Sequence, residues 1–270
     1  MNQPKQIANI YSSIGQGKVR MKTSKMFVLG ILAGAFIAMG GIASTAASVT
    51  VTSPSLTKLI AACVFPGGLT MVLLAGSELF TGNCLLVIPL LQRNIKFTEL
   101  LKNWIIVYLG NLVGSIFVSA LCVFSHQASM FDNAIAVSMI TTAAGKMTLT
   151  WSDAFLKAIG CNFLVCIAVW ISFAAEQVVG KITALFFPIM LFVLCGFEHS
   201  VANMYYLSSG IFASMNPSYA EAASAVDQSV LTWSNMFIHN LIPVTLGNIV
   251  GGSILVGCAY WFIYLKDINE

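Results

Sequence analysis

The chain has 270 residues, of which 58% are apolar and only 9% charged, with a formal net charge of +3. Soluble domains carry about 25% charged residues, so this composition excludes a water-soluble globule, and so small a net charge makes no case for a nucleic-acid partner. Apolar runs longer than the roughly 20 residues that cross a bilayer, without the alternating ten-residue pattern of a barrel, predict an integral membrane protein whose spans are helices.

Residues 1–25 hold Lys5, Lys18, Arg20, Lys22 and Lys25, with Ile7, Ile10, Tyr11 and Ile14 spaced for one face of an amphipathic helix. A basic, lipid-contacting anchor on the membrane surface is expected of it, with a gate over a pore mouth as the alternative. No removable signal peptide is apparent. The first span is placed at about 26–49, and its Gly30, Gly34, Gly40 and Gly41 favour close helix contacts. A second apolar region, about 57–91, is too long for one straight helix and is interrupted by Pro66-Gly67-Gly68, Gly76 and Gly82, which predicts a broken helix. The third span falls at about 101–124. A mixed polar segment, 125–150, separates it from the fourth, about 151–174. The fifth, about 182–212, is again overlong and carries Pro188 and Gly196; the sixth is about 236–264.

The seven cysteines lie almost entirely inside apolar runs without metal-site spacing, so they are read as packing residues, and neither a metal nor another cofactor is expected. The twelve methionines are read as apolar filler. Ten of the 13 Lys and Arg residues fall at the N-terminus, in the second-to-third loop (Arg93, Lys96, Lys102), in the fourth-to-fifth loop (Lys181) or at Lys266. The positive-inside rule then puts both termini in the cytoplasm of a multi-pass protein of the plasma (inner) membrane. The divisions expected are a cytoplasmic segment 1–25, a six-span channel domain 26–265 and a cytoplasmic tail 266–270.

The two halves resemble each other. Asn103 to Ser115 reads NWIIVYLGNLVGS and Asn240 to Gly252 reads NLIPVTLGNIVGG, while Glu78 and Asn83 recur as Glu198 and Asn203 with the same spacing. Three spans per half make the copies, about 26–124 and 151–265, inverted-topology repeats, in which two broken helices meet near the bilayer midplane. Their interior N-termini would offer free backbone N–H groups and partial positive charge, which suits an anion. Within the fifth span Glu198 and His199 stand side by side. Ionisable groups inside a membrane cost about 2.5 to 3.5 kcal/mol each on insertion scales, so the pair marks a pathway.

The motifs Ala75-Gly76-Ser77-Glu78-Leu79-Phe80-Thr81-Gly82-Asn83, Gly196-Phe197-Glu198-His199-Ser200-Val201-Ala202-Asn203-Met204 and Asn240-Leu241-Ile242-Pro243-Val244-Thr245-Leu246-Gly247-Asn248 closely resemble those of the formate/nitrite transporter family, as does Cys161 to Trp170. The resemblance covers all six spans. It implies an aquaporin-like, all-α fold of six transmembrane helices with the second and fifth broken, a homopentamer in the lipid bilayer with one pore per protomer, and permeation by formate, nitrite or hydrosulfide. It also implies site roles. His199 matches the central pore histidine and Thr81 its partner; Phe65, Leu69, Leu79, Phe80 and Phe192 match the apolar constrictions; Lys146 and Asn162 match the vestibule groups that attract the anion. Formate channels of the family tend to carry Ser-Thr where this chain has Gly82-Asn83, which weighs against formate.

The remaining polar residues are read structurally. Glu198 is expected to accept hydrogen bonds from Asn203 or from freed backbone, and Glu78, beside Asn83, to bond across to the other half. Lys157 and Asp153, four residues apart, are expected to form an intrahelical ion pair. Two mechanisms follow for His199: it protonates the passing anion, or it is a neutral donor in a passive anion channel. A neutral-solute channel of the aquaporin type is the alternative function, although the paired Asn-Pro-Ala signatures are missing. No hydrolytic dyad is evident, so an enzyme is not expected.

Overall fold

Proline and glycine decide where these helices stop, and they do so unequally. The computed structural model describes residues 1–266. In chain order its helices are α1 (Pro4–Arg20), α2 (Thr23–Ser48), α3 (Pro54–Val64), α4 (Pro66–Leu74), a 3₁₀ turn Gly82–Leu86 leading into α5 (Val87–Leu91), and α6 (Phe97–Phe124). The second half contains α7 (Ala134–Met147), α8 (Trp151–Ser172), α9 (Val178–Leu194), α10 (Ser200–Ser214), α11 (Pro217–Ala222), α12 (Trp233–Asn235), α13 (Ile242–Ile249) and α14 (Ala259–Tyr264), the last three joined by π turns into one long helix. Pro66 stands at the first position of α4, where its missing N–H costs nothing, and α3 and α4 run on as a single span. Pro188 sits inside α9 without ending it. The breaks fall instead at Gly76 and Gly196, whose φ angles of 79° and 69° suit a residue without a Cβ.

Five described helices are each long and apolar enough to cross a membrane: Thr23–Ser48, Pro54–Leu74, Phe97–Phe124, Trp151–Ser172 and Trp233–Tyr264. The fifth span in chain order is assembled from α9 and α10 on either side of the break at 195–199. The fold is thus an all-α, aquaporin-like bundle of two inverted repeats. Glycines bring each repeat's straight helices together. A Cβ on Gly34 or Gly114 would collide with the backbone of the facing helix where α2 meets α6, and Gly247 and Gly251 do the same where α13 and its following turn meet α8. The outer face of α6 exposes Leu101, Ile105, Leu109, Val113 and Phe117 at a spacing of four, an apolar stripe suited to hydrocarbon.

Three expectations need correction. Segment 125–150 contains the helix α7, whose Ile135, Met139, Ile140 and Ala143 are buried; interspersed Ser, Thr and Lys disguise its apolar face. The amphipathic helix α1 is docked onto the bundle rather than lying free on a lipid surface. Its Ile7 and Tyr11 are buried, the Tyr11 hydroxyl donates to the Gly82 carbonyl at 3.0 Å, and the backbone and side-chain nitrogens of Asn2 donate to the Ala174 and Phe173 carbonyls. The Asp153–Lys157 pair does not form among the described residues: Asp153 is exposed, where an ion pair gains too little to hold two side chains together. Apart from Lys266, the expected tail 266–270 lies outside the described residues.

Candidate functional site

Each break holds a carboxylate where a helix would have continued, and each carboxylate is neutralised from its own half. Glu78 and Glu198 are both 5% exposed. Lys18 reaches Glu78 at 2.8 Å, and Asn83 donates to Glu78 at 2.7 Å and to Asn103 at 2.9 Å. In the other half Lys146 contacts both oxygens of Glu198 at 2.8 and 2.9 Å, and Asn203 donates to Glu198 at 2.6 Å and to Asn240 at 2.7 Å. Glu78 therefore does not bond across to the second repeat, because Lys18 on the docked α1 already occupies it.

A second asparagine fastens the freed backbone of each break. Asn111 donates to the carbonyls of Gly30 and Glu78 and accepts the Phe80 N–H at 3.0 Å. Asn248 donates to the carbonyls of Ala158 and Glu198 and accepts the Ser200 N–H at 2.9 Å. Inside a bilayer backbone groups left unpaired cost several kcal/mol each, so these amides make the breaks tenable. They also consume the N–H groups that the sequence led one to expect free for an anion. Ala202, in the first turn of α10, donates to His199 Nδ1 at 3.0 Å, and Thr81 makes no side-chain cap.

His199 is 3% exposed at the N-terminus of α10, and its Nε2 lies 2.9 Å from Thr81 Oγ1. Because Nδ1 accepts the Ala202 N–H, its lone pair is engaged, and the neutral imidazole carries its proton on Nε2. The ring thus donates to Thr81. The Thr81 carbonyl is itself held by Asn162 Nδ2 at 3.2 Å and Cys166 Sγ at 3.3 Å. One face of the imidazole stacks on Phe192, at 5.8 Å between centroids.

Three cavities follow one another here, each sharing wall residues with the next. A vestibule of about 240 Å³ is bordered by Ser48, Lys58, Lys146, Glu198 and Tyr206 and ends on Phe65, Phe192 and His199. Those last three also wall a central chamber of about 10 Å³, closed on its far side by Leu69 and Leu79. Leu69 and Leu79 in turn border a pocket of about 40 Å³ lined by Tyr11, Lys18, Gly82 and Phe173. Phe65 and Phe192 meet edge to face at 5.5 Å between centroids. The sequence of spaces is that of a solute path with two apolar constrictions and one polar side chain, His199, between them.

A model of the family described as "Formate/nitrite transporter" matches residues 5–262. The chain belongs to the formate/nitrite transporter family. It is 41% identical to the "Probable formate transporter" of Methanothermobacter thermautotrophicus over 98% of this chain and 97% of that protein, and 36% identical to the "Formate channel FocA" of Escherichia coli K12 over 98% and 95%. Among solved structures, it superimposes with a TM-score of 0.81 on a "Pentameric formate channel with formate bound", at 34% identity over 90% of this chain and 98% of that one. A "FNT family ion channel" gives a TM-score of 0.83 at 29% identity over 95% and 98%. These relatives are transport proteins, not enzymes.

Against this family frame the expected site residues separate. Phe65, Leu69, Leu79, Phe192, His199 and Lys146 border the path, and Thr81 backs it through His199. Phe80 does not. Its side chain turns away from Leu79 to pack edge-on against Trp104 and Tyr108 of α6, at 6.0 and 5.1 Å between centroids. Asn162 is a fully buried brace between the Thr81 and Asn248 carbonyls rather than a vestibule group. Lys58, Tyr11 and Lys18 border the path as well, and no motif or spacing in the sequence marks them for it. The amides Asn103, Asn111, Asn240 and Asn248 were visible as repeated letters, and the constant offset was the signal that could have assigned them to the breaks.

Proposed function

We propose that this chain is a channel for small monovalent anions of weak acids, with formate foremost, working as a homopentamer with one pore per protomer. The reading rests on one observation: His199, backed by its bond to Thr81, walls a chamber of about 10 Å³, no larger than a water molecule needs, between two apolar constrictions. Only a small permeant fits, and it must shed its water. Formate and pentameric assembly are put forward because the relatives named above are described in those terms. Gly82 and Asn83, the departure that weighed against formate, border the small pocket behind Leu79 and do not touch the vestibule or the chamber, so they offer little selection at the histidine. The excess of Lys and Arg on one side supports an orientation with both termini cytoplasmic.

A bare anion entering the chamber would lose hydration at a cost that a few hydrogen bonds cannot return. Protonation removes most of that cost. In this account the anion takes up a proton as it leaves the vestibule water, since desolvation raises its basicity, and crosses as the neutral acid. His199 and Thr81 then offer hydrogen bonds and not a proton. A neutral Nε2–H that released its proton would become an imidazolate, and a doubly protonated ring would forfeit the Ala202 cap bond. This favours the neutral-donor role over protonation of the permeant by His199.

The test is reconstitution of the purified chain in liposomes with formate, nitrite, hydrosulfide, lactate and chloride in separate assays. Formate uptake well above that of empty vesicles is expected, with chloride at background. Uptake of every weak-acid anion at the empty-vesicle rate would overturn the assignment.

A further inference from the structure

Several of the groups expected to draw an anion into the vestibule are already engaged. The first-turn N–H groups of Ser200 and Ala202 in α10 are taken by Asn248 and His199. Lys146 borders the vestibule, but its ammonium holds both oxygens of Glu198, so the two together present no net charge to an incoming ion. A third charge borders the same space. Lys58, on α3, has no carboxylate within ion-pair distance among the described residues, and its Nζ lies against the left-handed Gly196 of the second break, 3.7 Å from where a Cβ would stand. Tyr206, Ser44, Ser48 and Thr142 supply uncharged polar walls. Lys157 lies on the same side but does not border the cavity.

We propose that Lys58 is the recruiting cation of this pore: the unpaired charge that concentrates the anion in the vestibule before it meets Phe65 and Phe192. The assignment rests on the anion-channel reading above. A focused field from one free charge in a low-dielectric mouth raises the local concentration of counter-ions, and the effect fades as salt screens it. Lys58 is therefore a positioning residue for entry and takes no part in the passage past His199.

The experiment measures initial formate uptake into liposomes across a range of formate concentrations, at low and high ionic strength, for the unmodified chain, Lys58→Gln, Lys58→Glu and Lys58→Arg. Size-exclusion elution confirms folded protein for each. Lys58→Gln is expected to raise the half-saturating concentration roughly tenfold with little change in maximal rate, and to flatten the salt dependence. Lys58→Glu should go further, so that added salt speeds uptake; Lys58→Arg should behave like the unmodified chain. An unchanged half-saturating concentration and salt dependence in both Lys58→Gln and Lys58→Glu would overturn the proposal. So would an equal loss of maximal rate in all three variants, which marks a structural lysine. If Lys58→Gln does not fold, the comparison of Lys58→Arg with Lys58→Glu decides by the sign of the salt effect. No uptake by the unmodified chain itself would instead defeat the underlying function.

Discussion

The two helix breaks are built from the same parts and do different work. Aligned from their left-handed glycines, Gly76 and Gly196, they share Glu78 with Glu198 and Asn83 with Asn203; each carboxylate meets a lysine on the helix that precedes its repeat, and each backbone meets an asparagine within the repeat. Between those fixed points they diverge. Leu79 stands where the other break has His199, Phe80 where it has Ser200, and Thr81 where it has Val201. The matched residues hold the chain in a shape that a membrane would otherwise forbid, while three of the unmatched ones serve the path: His199 bonded to Thr81, and Leu79 against the far wall of the same chamber; Phe80 packs instead on α6. Symmetry marks the scaffold, and its violation marks the pore.

The largest effects should come from breaking the matched ion pairs. Lys146→Met leaves Glu198 buried without its cation, and losing one member of a buried pair costs about 3–5 kcal/mol. Lys18→Met should cost a similar amount at Glu78, and thermal denaturation in detergent would compare the two. A loss in one half without the other would mean that the halves are not equivalent scaffolds. Next come the amides. Asn111→Ala and Asn248→Ala each strand two carbonyls and one N–H, for about 2–4 kcal/mol, read from the same melts. The smallest stability effect belongs to the unmatched pair: Thr81→Val keeps the shape, removes one hydroxyl and should cost about 1 kcal/mol, yet alter formate flux measurably in liposomes. A Thr81→Val channel that melts far below the unmodified protein while conducting normally would blur the distinction between scaffold and pore.

How far the sequence reached can be judged from the same residues. The span count, the inverted repeat and the Glu198–Asn203 bond were legible because apolar runs and recurring letters report them directly. Helix α7 was not, since a 14-residue buried helix with polar residues between its apolar ones lacks the continuous run that marks a span. Phe80 was misjudged for a geometric reason. In an irregular segment consecutive side chains turn to opposite sides, and no periodicity says which of Leu79 and Phe80 faces the path. Nor could sequence find the partners of Lys18 and Lys146, because they lie 60 and 52 residues away along the chain.

Formate uptake into liposomes by His199→Phe, set beside the unmodified chain at equal amounts of folded protein, tests the central claim most directly. The account predicts that the variant keeps a melting temperature within a few degrees of the unmodified protein while its formate uptake falls about tenfold or more, the loss of one buried hydrogen-bonding pair on the path. Undiminished uptake through folded His199→Phe would contradict it.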